Sequence, residues 1–338
     1  MVETTGWVDC NDCTKLFIRR WSPGSGAGID KPRALIQLVH GLAEHSLRYS
    51  RLAETLCSRG FEVWAADMRG HGKTADLSVN DAGRGGLLGH AADNNSFFWV
   101  VEDLRIITRY ITEKTMLEYG PEFGKLPFFI LGHSWGSFLV QAYIQNFSAD
   151  SAAEPAPALP LCGCILSGTR GPGGAKIKAG ALFLSLIAAI KGSRRYSSLA
   201  FALTTGPYNK FFRPNRTPYD WLSREEKAVD AYAADPFCGK RCSSGFYRDM
   251  IKGLSAIHRK DSAAKIDRNL PVYIFCGSAD PVGDMGRSPT ALVNAYRAAG
   301  INDLEFVIYP EARHETLNET NREEVTEALL GWLQKHVT

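Results

Sequence analysis

Phe128-Phe129-Ile130-Leu131-Gly132-His133-Ser134-Trp135-Gly136-Ser137-Phe138 is an apolar burst that runs into a G-x-S-x-G turn and on into a helical pattern. It reads as a serine nucleophile held on a strand-to-helix elbow. Gly132 and Gly136 are required because so tight a turn brings backbone against backbone, where a side chain would collide with its neighbours. Pro127 introduces the burst, as expected of a short buried parallel strand. Phe138, Leu139, Ala142, Tyr143 and Phe147 then recur at helical spacing.

Outward from this elbow the chain alternates. Strands are expected at Trp7–Cys10, Leu16–Trp21, Ala34–Val39, Glu62–Ala66, Cys162–Leu166, Val272–Cys276 and Glu305–Ile308. Helices are expected near Leu47–Ser58, Ser96–Glu118, Ser137–Phe147, Leu292–Ala299 and Arg322–His336. Such alternation predicts an α/β protein, a mostly parallel sheet flanked by helices on both faces. The interval between Leu166 and Val272 breaks the rhythm with helical patterns and no strand burst. The expected organisation is a core of residues 1–168 and 268–338 with an inserted helical cap at 169–267. Ser22–Gly28 and the Ala/Pro-rich Ser151–Pro160 read as loops.

Within the cap, Ala179–Ile190 is a twelve-residue apolar run, AGALFLSLIAAI, between Lys178 and Lys191. It is too short to span a bilayer and reads as a helix packed on the core, or as a surface that touches lipid or lines an acyl tunnel, with Leu184 and Ile187 the residues on which activity toward aggregated lipid is expected to depend. Further on, Ser223 and Glu226 have capping-box spacing for a helix start.

The chain has 338 residues, 45% hydrophobic and 22% charged, enough for a full core. Its 39 Lys+Arg against 36 Asp+Glu give a formal charge of +3, too even to indicate a nucleic-acid partner. The N-terminus lacks a signal-peptide pattern, so a cytoplasmic location is expected, with peripheral contact to membrane or lipid aggregates through the cap. None of the pairs formed by the eight cysteines has the second paired cluster of a structural zinc site, so neither metal nor cofactor is expected. Cys10 and Cys13 flank a hairpin turn at Asn11-Asp12.

A serine hydroxyl needs a base near neutrality and a carboxylate to orient that base, and on this architecture they follow in the order Ser, Asp, His. Asp280 follows the strand at Val272–Cys276, and His314 follows the strand at Glu305–Ile308. Ser134, Asp280 and His314 therefore each lie just past the C-terminal end of a strand, the edge where open α/β sheets build their sites. Asp284 is a spare carboxylate deeper in the same loop. An oxyanion needs two backbone N–H donors, and Trp135 and Leu42, the latter in a His-Gly turn after an early strand, are the candidates. His40 and His133 precede glycines and read as neutral supports of the two turns. Asp67–Lys73 lacks P-loop spacing and reads as a strand-end turn fixed by buried polar contacts.

The segments HGLAEHSLRY, DMRGHGKT, GHSWGS, GSADPVGD and YPEARHETLNE resemble, in order and spacing, the α/β-hydrolase family of monoacylglycerol lipases and lysophospholipases, grouped with serine aminopeptidase-like hydrolases. The resemblance covers nearly the whole chain. It implies the α/β-hydrolase fold, a triad of Ser134, Asp280 and His314, and oxyanion donors at Leu42 and Trp135. It also implies hydrolysis of single-chain lipid esters, monoacylglycerols or lysophospholipids, through an acyl-enzyme. A short-chain esterase, a thioesterase, an amide hydrolase or a ligand-binding receptor without turnover are the alternatives. Trp135 stands where many relatives carry Met, which preserves the N–H donor but reshapes the acyl pocket.

Overall fold

The computed structural model describes residues 1–24, 31–76, 78, 86–148 and 160–337. Among them runs one sheet, built from β1 (Val2–Asp9), β2 (Lys15–Ser22), β3 (Ala34–Val39), β4 (Phe61–Ala66), β5 (Phe128–His133), β6 (Leu161–Ser167), β7 (Val272–Gly277) and β8 (Leu304–Tyr309). The spatial order is β1-β2-β4-β3-β5-β6-β7-β8. β1 and β2 form an antiparallel hairpin, β2 joins β4 antiparallel, and every later pair is parallel. β2 to β8 match the expected strands to within two residues at each end, whereas β1 begins at Val2, five residues before the expected Trp7, because its exposed first half pairs with β2 without an apolar run. The loops expected at 25–28 and 151–159 lie outside the described residues.

Helices cover both faces, because each central strand is apolar on both sides. Phe128 and Ile130 of β5 join one core and Phe129 and Leu131 the other; β7 divides likewise, with Val272 and Ile274 opposite Tyr273 and Phe275. The first core is closed by α2 (Ser96–Tyr119), α3 (Trp135–Phe147) and α8 (Arg287–Ala298). The second is closed by α1 (Ser50–Ser58) and α9 (Arg322–His336). α8 begins five residues before the expected Leu292, because Pro289 is tolerated in a first turn, where its missing N–H would have no helical partner. Ser46–Tyr49, expected as helix, is a 3-10 turn leading into α1.

Between β6 and β7 the described chain carries α4 (Gly174–Lys191), α5 (Ser198–Leu203), α6 (Glu226–Ala234) and α7 (Ser244–Ile257). α7 fastens this segment to the sheet-bearing part. Asp249 accepts the N–H of Ser96 at 2.9 Å, capping α2, and Gln145 of α3 donates to the Ile257 carbonyl at 2.9 Å. Gly253 lets α7 lie directly on Phe97.

Two expectations in this segment are corrected. Leu184 and Ile187 are buried, so they are not the lipid-facing side of α4; the exposed row is Leu182, Leu186 and Ile190, at i, i+4 spacing. Ser223 does not cap α6. Its Oγ donates to the Asn318 carbonyl and accepts from the Glu225 N–H, and the helix starts at Glu226, with the Glu225 side chain accepting from Lys227 N–H. The contact with the β8 side of the molecule outcompeted the local box.

A Cβ on Gly253 would lie 2.3 Å from the Phe97 ring. Gly253→Ala gains roughly 1 kcal/mol of helix propensity but meets an overpacking cost of about 1–3 kcal/mol. The expected result is a lower thermal midpoint; a raised midpoint would show that α7 can move off α2.

Candidate active site

β3 and β5 are neighbours whose outgoing connections run in opposite directions, so a crevice opens at their C-terminal ends. Ser134 follows β5 there with φ 52° and ψ −122°, a left-handed conformation that a serine adopts only under constraint. The constraint is packing. A Cβ on Gly136 would sit 2.2 Å from the Val39 carbonyl oxygen, and one on Gly132 would sit 2.6 Å from the Gly136 carbonyl. The first turn of α3 is thus pressed onto the end of β3. The Ser134 N–H donates to the Ser167 carbonyl at 2.9 Å, which fixes the elbow from the β6 side.

Asp280 and His314, on separate strands, meet. His314 Nδ1 donates to Asp280 Oδ1 at 2.9 Å, both side chains are buried, and the same oxygen accepts the Val282 N–H at 2.8 Å. Asp280 Oδ2 is buried with no protein hydrogen-bond partner. Ser134, His314, Leu42 and Trp135 all line one cavity of about 900 Å³, whose roof is formed by α4, α5 and α7. Trp221 from the β6–β7 segment lies over His314, with ring centroids 5.1 Å apart. Glu315 N–H donates to the Leu222 carbonyl at 2.7 Å, so the β8 loop and that segment are tied at the site. Asp284 takes no part; it is exposed and paired with Arg287.

The supporting histidines behave as expected. His40 Nε2 accepts the Met68 N–H at 2.9 Å, which puts its proton on Nδ1, donating to the Gly41 carbonyl at 2.8 Å. His133 Nδ1 hydrogen-bonds with Ser167 Oγ at 3.1 Å. Asp67 accepts from the Ser46 N–H and hydroxyl and from the Lys73 N–H, which fixes the turn at Asp67–Lys73.

Burial separates the titrations. It lowers His40, pushes His71 down to about 3, and takes His133 down to about 4 with further repulsion from His314. Burial opposes the charged form of His314 as well, but the Asp280 carboxylate outweighs it and raises the imidazole above its ordinary value. One histidine of the cluster is therefore poised to take a proton while its neighbours stay neutral.

Sequence reasoning missed the clamp beneath the loop after β3. Arg48 donates to Glu44 at 2.6 Å and to both oxygens of Glu315 at 2.6 and 2.7 Å. Glu44 also accepts the Gly41 N–H at 2.6 Å and the Tyr49 hydroxyl at 2.8 Å. Burial would raise the Glu44 carboxyl, yet Arg48 holds it lowered. The i, i+4 pair Glu44–Arg48 is legible in sequence, but Glu315 arrives from the far end of the chain. Trp135, expected as an N–H donor whose bulk reshapes the acyl pocket, stacks its indole on His71 at 5.1 Å and tilts it against Phe246 at 5.0 Å, contacts that the sequence does not indicate. Among the described residues, His45, Asp235 and Cys238 form a cluster able to hold a metal, with His45 Nε2 hydrogen-bonded to Asp235 Oδ2 at 2.9 Å.

A family profile described as "Serine aminopeptidase, S33" (Hydrolase_4) matches residues 30–321. The chain belongs to this family. It is similar to a monoacylglycerol lipase of Mycolicibacterium smegmatis, 26% identical over 320 residues that cover 94% of this chain and 92% of that protein. It is also similar to a monoglyceride lipase of Rattus norvegicus, 25% identical over 320 residues, covering 90% and 85% of the two chains. A carboxyl esterase from Bacillus coagulans has a similar solved structure, with a TM-score of 0.84 at 25% identity over the full length of both chains. This family member is an α/β-hydrolase and an enzyme of the serine hydrolase type.

NMR titration is expected to place His314 above the ordinary imidazole value of 6.5 and His133 well below it. The stability that His314 contributes is then full below 6.5 and is lost as pH rises through its folded value. Asp280→Asn removes the main opposing charge and leaves only Glu315 and Glu44 against burial, so His314 falls from its raised value; an unmoved His314 would show that another group sets it.

Proposed function

We infer that this α/β-hydrolase hydrolyses carboxylic esters of single-chain lipids, monoacylglycerols or lysophospholipids, with Ser134, His314 and Asp280 as its triad. The reading is carried by the His314–Asp280 hydrogen bond at 2.9 Å beside the cavity that Ser134 also lines. The names of the similar lipases support the substrate class. In the proposed reaction, Ser134 Oγ attacks the ester carbonyl as its proton passes to His314 Nε2. The backbone N–H groups of Leu42 and Trp135 stabilise the tetrahedral oxyanion. His314 protonates the leaving alcohol, the acyl group remains on Ser134, and water activated by His314 then releases the fatty acid. Asp280 holds the reactive tautomer and the imidazolium throughout.

In this reading residues 169–267 serve as a cap over a core of 1–168 and 268–338. The cap's two-sided α4 suits the role: Leu184 lines the cavity, while Leu182, Leu186 and Ile190 face outward beside exposed Leu199 and Leu203 of α5. Phe183 and Leu203 both line the cavity and are exposed, so this apolar surface is continuous with the mouth. A lipid aggregate is the occupant that such continuity fits, since a substrate leaving it would pass from apolar surface to apolar cavity. Among the described residues no helix is long and apolar enough to cross a membrane. Peptide hydrolysis from a free N-terminus is disfavoured, because the cavity's acids, Glu44 and Glu315, are both already held by Arg48 and leave no carboxylate for an ammonium group.

Ser134→Ala is expected to lower the hydrolysis rate across a monoacylglycerol chain-length series by about a thousandfold or more without loss of folding. Serine-independent turnover would sink the triad assignment. Leu182→Ser with Leu186→Ser is expected to reduce the rate on dispersed long-chain monoacylglycerol, relative to a soluble short ester, by about tenfold, given the value of burying two leucines. Equal losses on both substrates would remove the lipid-docking role of α4.

A further inference from the structure

The charges that line the cavity are unbalanced. Its acids, Glu44 and Glu315, share one buried cation, Arg48. Its cations, Arg170, Lys240 and Arg241, have no carboxylate partner among the described residues. Lys240 and Arg241 are exposed at the rim, but Arg170 is only partly accessible, and its Nε is buried with no hydrogen-bond partner. A buried guanidinium N–H left without an acceptor carries a desolvation cost, which an acceptor in the cavity would remove.

The placement of Arg170 is fixed by its main chain. Its carbonyl accepts from Gln141 Nε2 at 3.0 Å, and the same Nε2 donates to Thr169 Oγ1 at 2.9 Å. The Thr169 hydroxyl is in turn bonded to Ser137 Oγ at 2.8 Å, and that Oγ donates to the Ser134 carbonyl at 2.5 Å. Arg170 is thus built onto the nucleophile elbow, three residues beyond the Ser167 carbonyl that holds the Ser134 N–H. Its titratable neighbours His258 and Tyr208 carry no negative charge. His258, hydrogen-bonded to Gln141 Oε1, is kept neutral by burial and by Arg170 itself, down at about 4, and Tyr208 is kept as a neutral phenol chiefly by its burial.

The geometry points to an anion-binding subsite in the cavity, in which Arg170 holds a carboxylate or phosphate carried by the ester substrate, with Lys240 and Arg241 drawing that substrate to the mouth. The inference rests on the esterase reading and narrows its substrate class to esters with a negatively charged group, away from neutral monoacylglycerols. A planar guanidinium with free donors matches either anion by paired hydrogen bonds, and a low-dielectric wall strengthens the attraction. Two rim cations without acid partners add a field that concentrates anionic substrate. A neutral substrate would leave all three cations unanswered.

The anion can sit on either side of the scissile bond, so three esters of equal acyl length are compared on the full chain. They are a neutral monoacylglycerol, a lysophosphatidate, whose phosphate is on the alcohol side, and the monoglyceryl ester of a dicarboxylic acid, whose free carboxylate is on the acyl side. The wild-type kcat/KM ratio of anionic to neutral ester is expected to exceed one for one of the two anionic esters. Arg170→Met is expected to lower that ratio about tenfold, chiefly through KM, as loss of a charge-assisted hydrogen bond predicts, and Arg170→Lys to restore part of it. Which anionic ester responds identifies the side of the bond that Arg170 faces. A wild-type preference for the neutral ester over both anionic ones, or a ratio that Arg170→Met leaves unchanged, overturns the inference while leaving the esterase reading intact. The wild-type ratio decides alone if Arg170→Met does not fold. Absence of Ser134-dependent hydrolysis of all three esters overturns the esterase reading itself, and the inference with it.

Discussion

The site depends on the contact between the first turn of α3 and the end of β3. With no side chain at Gly136, the turn approaches the Val39 and His40 carbonyls closely enough that any Cβ would overlap them. The chain between β5 and α3 then has only a tight bend open to it, and Ser134 is left at positive φ. Such a conformation costs on the order of 1–3 kcal/mol and persists only where its surroundings over-determine it. Here β5 is buried on both faces between β3 and β6, and the Ser134 N–H is held by Ser167. Trp135 and Leu42, on either side of this contact, both line the cavity that Ser134 lines.

Around the elbow, the polar groups are sorted by whether a carboxylate is in reach. Four buried histidines crowd the crevice, and desolvation alone would make all of them neutral. Asp280 reverses this for His314 only, because it is bonded to that ring and to no other. Glu44 and Glu315 do not compete for the role, since Arg48 binds both and turns them into structural anchors of the loops after β3 and β8. Arg170, on the same elbow, has a buried Nε with no hydrogen-bond partner and no carboxylate partner among the described residues.

The β6–β7 segment converts this open crevice into a cavity. α7 is rooted on α2 and α3, and α4 packs on α7 with one face inward. The apolar run in α4 is long enough to serve two surfaces at once, since its residues divide by helical phase between cavity wall and outer face. A cavity wall and an exposed apolar row are thereby built from a single helix.

The sequence by itself determined the strands, the elbow and the order Ser134, Asp280, His314, because apolar bursts, tight-turn glycines and strand-end placement are local properties that survive without coordinates. It also determined which turn carries Leu42 and that His40 and His133 support turns. Tertiary structure decided whatever depends on partners remote in the chain. Ser223 has the spacing of a helix cap yet bonds to Asn318, and Asp284 is as close in sequence as Asp280 is to the site yet points to solvent. Leu184 and Leu186 are alike in the run but lie on opposite faces of α4. The Arg48 clamp joins residues more than 260 positions apart. Arg170 gives no local signal, because the absence of a carboxylate partner among the described residues is a property of the folded cavity and not of the residues beside it in the chain.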